Sequence, residues 1–378
     1  MIIHKQGMGV LKLVHEMIWR SAERTPDALS IKDPVSELTY QQFVERMDSL
    51  KRALRLLKLP FHARVIIILP NSVEFLIAHF AILAAGGISV PCDYFVSDSV
   101  LEKIIRNCEP TAIVTNAGIH QKLLASSLVT KNIFFLLTEG SNDASQYHTF
   151  EGMFELGANV QVNVPDIHED DIATLMYTTG STGTPKGVVL THKNILSALN
   201  NICRFIGYKS ADREVIILPI SHNFGLGHVY CNLMSGGAVY TEHGMVRVKR
   251  VLTMLESFKA TGFPGTPTSY GILLDRYRDI FIKKAKSLRF IVINSAPLPP
   301  DRAAQIIDQL PGVNLMVYYG LTEASRSTFI SLSQKGPMYF QSVGKPLDDI
   351  QLCIQDEAGN KLPPKQIGQV WVLGSFPK

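Results

Sequence analysis

Short apolar runs that alternate with helical patterns constrain the fold of this chain more than any other feature of its sequence. Residues 65–69 form an unbroken branched apolar run that ends at Pro70, and residues 71–85 follow with a helical pattern. An unbroken run of this length is typical of a strand buried on both faces, as in a parallel sheet. The alternation resumes after residue 210. It predicts an α/β fold in which parallel-rich sheets pack against helices.

Further segments complete the predicted architecture. Strands are predicted at residues 88–90, 112–114, 133–137, 173–177, 188–190, 215–218, 238–240, 290–293 and 315–318. Helices are predicted at residues 10–22, 39–54, 99–107, 195–202, 246–258 and 302–309. Alternation at residues 350–354 and 369–373 around a turn predicts a smaller antiparallel hairpin. We expect a first α/β subdomain at residues 1–170, a second at residues 171–340, and the hairpin portion at residues 341–378.

The composition excludes several classes of protein. Hydrophobic residues make up 46% of the chain and charged residues 19%, which supplies a sizeable core and excludes a disordered chain. A net charge of +4 without a long block of like charge does not indicate a nucleic-acid partner. Five scattered cysteines without a CxxC motif are typical of a reducing compartment. The first 20 residues lack a continuous apolar stretch, so we expect a cytoplasmic protein.

Residues 75–90 are almost wholly apolar and raise the question of a membrane span. The stretch includes His79 and ends near Gly86 and Gly87. A span needs about 20 apolar residues, and this stretch is shorter. We therefore expect a buried helix that runs into a buried strand and no transmembrane span, while weak association with a membrane surface stays open.

A loop rich in glycine and hydroxyl groups gives the strongest functional signal. Glycines allow backbone amides to point at an anion, hydroxyl groups add donors, and Lys186 adds a full positive charge. Proline at position 185 and glycine at position 187 exclude a Walker A motif, and a strand rather than a helix follows. We expect this loop to bind phosphate through Thr178, Thr179, Gly180, Ser181, Thr182, Gly183, Thr184 and Lys186.

Residues 177–188 resemble the phosphate-loop signature of the adenylate-forming (AMP-binding) enzymes, which include acyl-CoA synthetases, adenylation domains of peptide synthetases and luciferases. The match is nearly position for position, with Thr179 where serine is commoner. The resemblance implies the fold of the large N-terminal domain of that family.

A second motif follows an apolar strand at residues 318–323. A strand end followed by a helix start would explain it equally well if it stood alone. It resembles the Tyr-Gly-x-Thr-Glu motif of the same family, which places Tyr318 and Gly320 in the nucleotide-binding segment. The resemblance implies that Tyr319 stacks on adenine, that Thr322 contacts the α-phosphate and that Glu323 binds Mg²⁺. One carboxylate suffices for Mg²⁺, because this ion keeps waters and substrate phosphates as ligands.

Two more segments resemble parts of the family's binding pockets. Residues 294–298 resemble a Gly-Ala-Pro-Leu segment, which implies that Ser295, Ala296 and Pro297 line the adenine and acyl pockets, although a plain strand–loop–helix corner stays open. The resemblance places His222 between the acid's carboxylate and the phosphates. The implied acid pocket consists of His222, Phe224, Gly265, Ser295 and Tyr319.

The resemblance implies a ligase that uses ATP and Mg²⁺ to convert a carboxylic acid into an acyl-adenylate and then a CoA thioester. Lys186, Thr322, Glu323 and His222 are the implied catalytic residues. Residues 223–226 lack the acid that peptide-synthetase domains use to bind an α-amine, so we expect a fatty or aryl acid. The alternatives are an enzyme that loads the phosphopantetheine of an acyl carrier protein, a non-catalytic nucleotide- or acyl-binding module, and an NTPase that forms ADP.

The family continues beyond the terminal hairpin with a ribose-binding aspartate, a hinge and a smaller domain that carries a lysine for adenylation. The sequence ends at Lys378 without these features. We therefore expect this chain to be the large domain alone, with the C-terminal lid domain absent, and to catalyse little by itself.

Overall fold

The computed structural model describes residues 10–126, 133–140, 147–179, 184–347 and 350–374. The described strands are β1 (Leu29–Lys32), β2 (Glu37–Thr39), β3 (Arg64–Ile67), β4 (Ile88–Pro91), β5 (Ala112–Thr115), β6 (Phe134–Leu137), β7 (His148–Thr149), β8 (Ile172–Thr179), β9 (Pro185–Thr191), β10 (Arg213–Ile216), β11 (Ala238–Thr241), β12 (Gly262–Gly265), β13 (Phe290–Ile293), β14 (Asn314–Tyr319), β15 (Thr328–Ser331), β16 (Lys345–Pro346), β17 (Gln351–Gln355) and β18 (Gln369–Leu373). The described helices are α1 (Glu16–Arg24), α2 (Tyr40–Leu56), α3 (Val73–Ala84), α4 (Asp98–Cys108), α5 (Ala117–Ala125), α6 (Phe150–Gly157), α7 (His192–Ile206), α8 (Asn223–Met234), α9 (Val248–Ser257), α10 (Pro267–Arg276), α11 (Arg278–Lys284), α12 (Pro300–Gln309) and α13 (Leu332–Lys335), with a 3₁₀ turn at Pro337–Tyr339.

Seven strands form the first sheet, in the order β7-β6-β5-β3-β4-β8-β9. Neighbouring strands are parallel except β8 and β9, which form an antiparallel hairpin at one edge. The apolar run in β3 lies in the middle of this sheet, and its residues Val65, Ile66 and Ile67 are buried. The predicted strand with two buried faces is therefore confirmed.

Nine strands form the second sheet, in the order β16-β15-β14-β13-β12-β10-β11-β1-β2. The six strands from β14 to β1 run parallel to one another. The antiparallel pairs are β1 with β2, β14 with β15, and β15 with β16. This mixed, parallel-rich arrangement confirms the predicted α/β fold. The predicted terminal hairpin is also confirmed, since β17 pairs antiparallel with β18 from Gln351↔Leu373 to Gln355↔Gln369.

The largest cluster of buried residues joins the two large sheets through α3 and α8. Eleven of the 12 residues of α3 are buried, and nearly all are apolar, as a helix enclosed on all sides requires. The buried His79 of α3 hydrogen-bonds Ser89 in β4 and Tyr230 in α8. The segment at residues 75–90 is thus the predicted helix and strand, and the described residues contain no helix long and apolar enough to cross a membrane.

Several local predictions were wrong. The first helix begins at Glu16 rather than at residue 10, because the Glu16 carboxylate accepts hydrogen bonds from the N–H groups of Lys12 and Leu13 ahead of the helix. The helix start that was left open as an alternative after β14 is absent, since residues 323–326 form a turn and the chain returns as the antiparallel strand β15. Residues 262–265, which include Gly265 of the implied acid pocket and were not among the predicted strands, form the buried strand β12.

The two large sheets do not divide the chain at a single point. Strands β1 and β2 precede the first sheet in sequence but belong to the second, whereas β8 and β9 follow residue 171 and belong to the first. The division into subdomains at residues 170 and 340 stays a prediction.

Candidate functional site

Four adjacent parallel strands of the second sheet end at the same edge, and the predicted site residues follow them. The strand order β14-β13-β12-β10 places these carboxyl ends side by side. Parallel α/β sheets commonly bind ligands at this edge. The residues brought to it are His222 and Phe224 after β10, Gly265 at the end of β12, Ser295, Ala296 and Pro297 after β13, and Tyr319, Gly320, Thr322 and Glu323 after β14.

The loop after β13 has an unusual backbone. Ser295 is exposed and has a φ of +80°, in the left-handed region that favours glycine. Ala296 and Pro297 are exposed as well, whereas Leu298 is buried and anchors the loop before α12. The segment is therefore a strand–loop–helix corner, and its exposed tip is free to contact a ligand.

The predicted phosphate loop joins β8 to β9 at the edge of the first sheet. The two strands pair from Ile172↔Thr191 to Thr179↔Pro185, and Thr178 and Lys186 are partners in this register. Thr184 and Lys186 are exposed. The remaining predicted members, Gly180, Ser181, Thr182 and Gly183, lie outside the described residues. The two strands predicted on either side of these residues are confirmed.

Helix α7 follows this hairpin and carries the chain towards the second sheet. Thr191 caps it with a hydrogen bond from the Asn194 N–H, and the Asn194 side chain accepts from the Thr191 N–H in return. A cavity of about 40 Å³, here called the α7 cavity, lies between this helix and the segment after β14. Its walls include Asn194, Ser197, Asn201, Asn223, Thr322 and Arg326.

Two contacts join the first sheet to the loops of the second sheet next to the site. The buried Asn71, beyond β3, donates to the carbonyls of Leu218 and Glu242 at 2.8 and 2.9 Å and accepts from the Ile220 N–H at 3.0 Å. Asp93, beyond β4, has a carboxylate oxygen 3.8 Å from Nε2 of His222. These contacts hold His222 at the cleft between the two sheets.

The two neighbouring tyrosines at the end of β14 have different environments. Tyr318 is 4% exposed, and its ring packs against Phe224 and Phe329 at centroid distances of 5.3 and 5.6 Å. Burial raises the pKa of Tyr318, while the positive charge of Arg326 acts against this shift. Tyr319 points to the other face of the strand and is half-buried. Only Tyr319 therefore presents its ring at the surface of the site, and the Tyr318 side chain is part of the core.

The residues after Tyr319 turn tightly. A Cβ on Gly320 would lie 2.3 Å from the backbone nitrogen of Arg326, so the close approach of the chain to itself requires glycine here. Thr322 is half-buried and Glu323 is exposed. At Gly265, a Cβ would lie 2.9 Å from the Tyr270 ring, which leaves no room for a larger residue.

Arg326 is a prominent residue of this region that the sequence patterns did not single out. It is 3% exposed, and its guanidinium lies 5.1 Å from the centroid of the Tyr318 ring. Its Nη2 donates to the Phe224 carbonyl at 3.2 Å. The only local signal is a cation three residues after the Thr-Glu pair, and such a position is usually exposed.

Behind Phe224 lies a buried polar cluster. The Nδ1 atom of His228 is 2.9 Å from the Glu214 carboxylate, and the Tyr208 hydroxyl lies 3.0 Å from the same carboxylate. Burial lowers the pKa of His228, while the neighbouring Glu214 acts in the opposite direction. Because His228 and Glu214 are fully buried, His228 fits a structural role better than a role in catalysis.

The described residues contain no group of three or more His, Cys, Asp or Glu side chains placed to hold a metal ion. Glu323 is the acidic residue next to Thr322 in the motif after β14. A single carboxylate fits Mg²⁺, because this ion takes its other ligands from water and phosphate oxygens.

Comparison with known proteins agrees with this arrangement. The chain is 28% identical to a long-chain-fatty-acid–CoA ligase of Bacillus subtilis (strain 168), over 96% of this chain and 69% of the ligase. It is 29% identical to an oxalate–CoA ligase of Arabidopsis thaliana, over 81% of this chain and 59% of that protein. The solved structure of ATP-bound MatB from Rhodopseudomonas palustris, 22% identical, superposes with a TM-score of 0.82 over 97% of this chain and 71% of the other.

The chain is shorter than these relatives. It spans between 56 and 71% of the length of the curated CoA ligases and synthases it matches. The model of one family, described as AMP-binding enzyme, matches residues 18–376, which is nearly all of the sequence. The chain therefore belongs to the AMP-binding enzyme family.

Proposed function

We propose that this chain binds ATP and a carboxylic acid and joins them as an acyl-adenylate, as the first step of an AMP-forming acid–CoA ligase. The proposal is supported by one observation above all: the predicted site residues outside the phosphate loop lie side by side at the carboxyl ends of β10, β12, β13 and β14. One carboxylate oxygen of the acid attacks the α-phosphorus, the bond from this phosphorus to the bridging oxygen breaks, and pyrophosphate leaves with the bond's electron pair.

The protein's part in this reaction is positioning and charge stabilisation. Lys186 and the hydroxyl groups of the β8–β9 loop hold the departing pyrophosphate. Thr322 would donate to the α-phosphate, and Glu323 would hold a Mg²⁺ ion, which would supply positive charge against the developing negative charge. Tyr319 stacks on adenine. His222 lies between the acid's carboxylate and the phosphates.

The acid and the thiol acceptor are proposed only as chemical classes. The names of the relatives refer to long-chain fatty acids and oxalate, among other acids, and we propose a fatty or aryl acid as the class to test first. The acceptor in the second step is the thiol of CoA, and the carrier-protein pantetheine is tested beside it. Phe224, Gly265 and Ser295 contribute to the acid pocket.

Acid-dependent exchange of labelled pyrophosphate into ATP tests the first step directly. We expect exchange with at least one acid of a mixed fatty and aryl panel, and AMP as the nucleotide product when CoA is added. Because the relatives are longer, the assay is run on the 378-residue chain and, where the natural protein is longer, on that protein. Nucleotide binding without exchange in either would support a non-catalytic binding module, and ADP as product would support an NTPase.

Lys186→Ala provides the matched test of the phosphate loop. We expect the exchange rate to fall by about 10²–10³, the usual effect of removing one group that stabilises developing charge. Lys193→Ala is the control, because Lys193 is also exposed near the hairpin but pairs with Glu169 and Asp170. Equal rates in the two variants would contradict the role of Lys186.

A further inference from the structure

The buried Arg326 guanidinium has fewer partners than its charge requires. Its Nη1 donates to the Ser325 hydroxyl at 3.0 Å and its Nη2 to the Phe224 carbonyl at 3.2 Å, and both acceptors are neutral. Its Nε is buried without a hydrogen-bond partner, and the ion pairs that arginines form within the described ranges involve other arginines. A guanidinium has five N–H donors in a fixed fork, so this side chain can accept a further ligand.

The free-energy cost of burying the Arg326 charge without an opposite charge indicates that this residue does more than fill space in the core. A buried charge without an opposite charge is among the most destabilising features a core can contain. A buried acidic group in this part of the core, Glu214, already interacts with His228, Tyr208 and Asn232. The backbone of Arg326 also has a φ of +55°, which is strained for a residue with a long side chain. Such features concentrate at sites where a ligand completes the interaction.

A cavity adjoins this unpaired charge. Arg326 forms part of the wall of the α7 cavity together with Thr322, to which we assign the α-phosphate, and Asn223, which directly follows His222. The cavity volume of about 40 Å³ exceeds the roughly 10–15 Å³ that one water requires, so it can hold a small polar group.

We propose that Arg326 determines substrate specificity by binding a second anionic group of the acid, so that short dicarboxylates are preferred over monocarboxylates of the same length. The inference rests on the proposed function, since it assumes that the reacting carboxylate lies next to Thr322 and His222. A carboxylate matches the two-pronged geometry of a guanidinium, and charge-assisted hydrogen bonds of this kind are about twice as strong as neutral ones.

The test compares acids that differ in one group. Binding to the 378-residue chain is measured by calorimetry for succinate against butanoate, glutarate against pentanoate, and isophthalate against 3-methylbenzoate. We expect each dicarboxylate to bind about 10- to 100-fold more tightly than its partner, and Arg326→Met to abolish this preference. Arg289→Met is the control, because Arg289 pairs with Asp212 and stacks on Phe290 away from the cavity.

A second variant moves the guanidinium without removing it. An added Cβ on Gly227 would lie 2.5 Å from Nη2 of Arg326, so Gly227→Ala should displace the guanidinium and reduce the preference while the positive charge is retained. This variant carries the test if Arg326→Met does not fold. An unchanged preference in both variants, or no preference in the wild type, would overturn the inference and leave Arg326 as a packing residue.

The outcome is separable from that of the proposed function. Dicarboxylate binding that depends on Arg326 but supports no pyrophosphate exchange would retain the inference and count against the proposed reaction. Exchange that proceeds with equal preference in the wild type and in Arg326→Met would retain the reaction and overturn the inference.

Discussion

Replacing Asn71 by alanine should loosen the joint between the two large sheets. The side chain is 6% exposed and makes three hydrogen bonds, two as a donor to the carbonyls of Leu218 and Glu242 and one as an acceptor from the Ile220 N–H. Its partners follow β10 and β11 of the second sheet, whereas Asn71 itself follows β3 of the first. Alanine would leave all three buried backbone groups without this partner.

The expected loss follows from these contacts. A buried polar group that loses its partner costs about 1–3 kcal/mol, and at the low end of that range the three groups together cost about 3–5 kcal/mol. An unfolding entropy of about 2.1 cal/mol/K per residue gives roughly 0.8 kcal/mol/K for a chain of 378 residues. Asn71→Ala should therefore lower the melting temperature by about 4–6 °C, as measured by scanning calorimetry.

Two further variants make this measurement specific. Asn71→Asp keeps the acceptor for the Ile220 N–H but lacks both amide donors, so we expect at least as large a loss at pH 7. Asn360→Ala removes an exposed amide that donates to Asp356 at 3.1 Å, and we expect a change below about 1 °C. A decrease of less than about 1 °C for Asn71→Ala would show that water replaces the amide at no net cost, and the reasoning would be refuted.

Two predictions concern other parts of the fold. Gly344 has a φ of +91°, and an added Cβ would lie 1.8 Å from the Phe329 carbonyl oxygen, so Gly344→Ala should lower the free energy of unfolding in urea by more than about 3 kcal/mol. Gly312 has a φ of +86° with open space around it, so Gly312→Ala should lower it by only about 1–2 kcal/mol. Equal losses in the two variants would show that the contact with Phe329 is irrelevant. Burial lowers the pKa of His79 to about 3, so the folded protein excludes a proton that the unfolded chain binds near pH 6.5. The stabilisation by neutral His79 is complete above pH 6.5 and is lost as the pH falls towards 3. In His79→Gln, the free energy of unfolding plotted against pH should therefore have a slope between pH 6 and 4 that is smaller by about 1.4 kcal/mol per pH unit. An unchanged slope would contradict this.

The strands with a continuous branched apolar pattern could be predicted from the sequence, and β12 shows why others could not. Residues 262–265 read Gly-Phe-Pro-Gly, a composition that favours loops. In the structure a Cβ on Gly262 would lie 2.3 Å from the Phe290 ring of the neighbouring strand β13. The glycine is required by a contact with a residue nearly 30 positions away, and local propensity contains no information about that neighbour.

Sheet membership is a second property without a local signal. The strands β1 and β2 carry no pattern that assigns them to the second sheet, and they join it through pairing of Ile31 with Val239 in β11. The motifs themselves could be found from residue types alone, because glycine, hydroxyl groups and lysine in one short loop are rarely combined for other reasons. Arg326 could not, because only tertiary packing makes it buried and leaves its Nε without a partner.

The division of the site between two sheets has a consequence for the proposed reaction. Lys186 lies on a hairpin of the first sheet, whereas Thr322 and Glu323 follow β14 of the second. Pyrophosphate and the α-phosphate are parts of one ATP molecule, so their ligands must keep a fixed separation during the reaction. We expect that separation to be determined by the shared core around α3 and α8 and by the hydrogen bonds of Asn71. A change at the joint should therefore reduce exchange through misalignment of the two sets of ligands, with the phosphate ligands themselves intact.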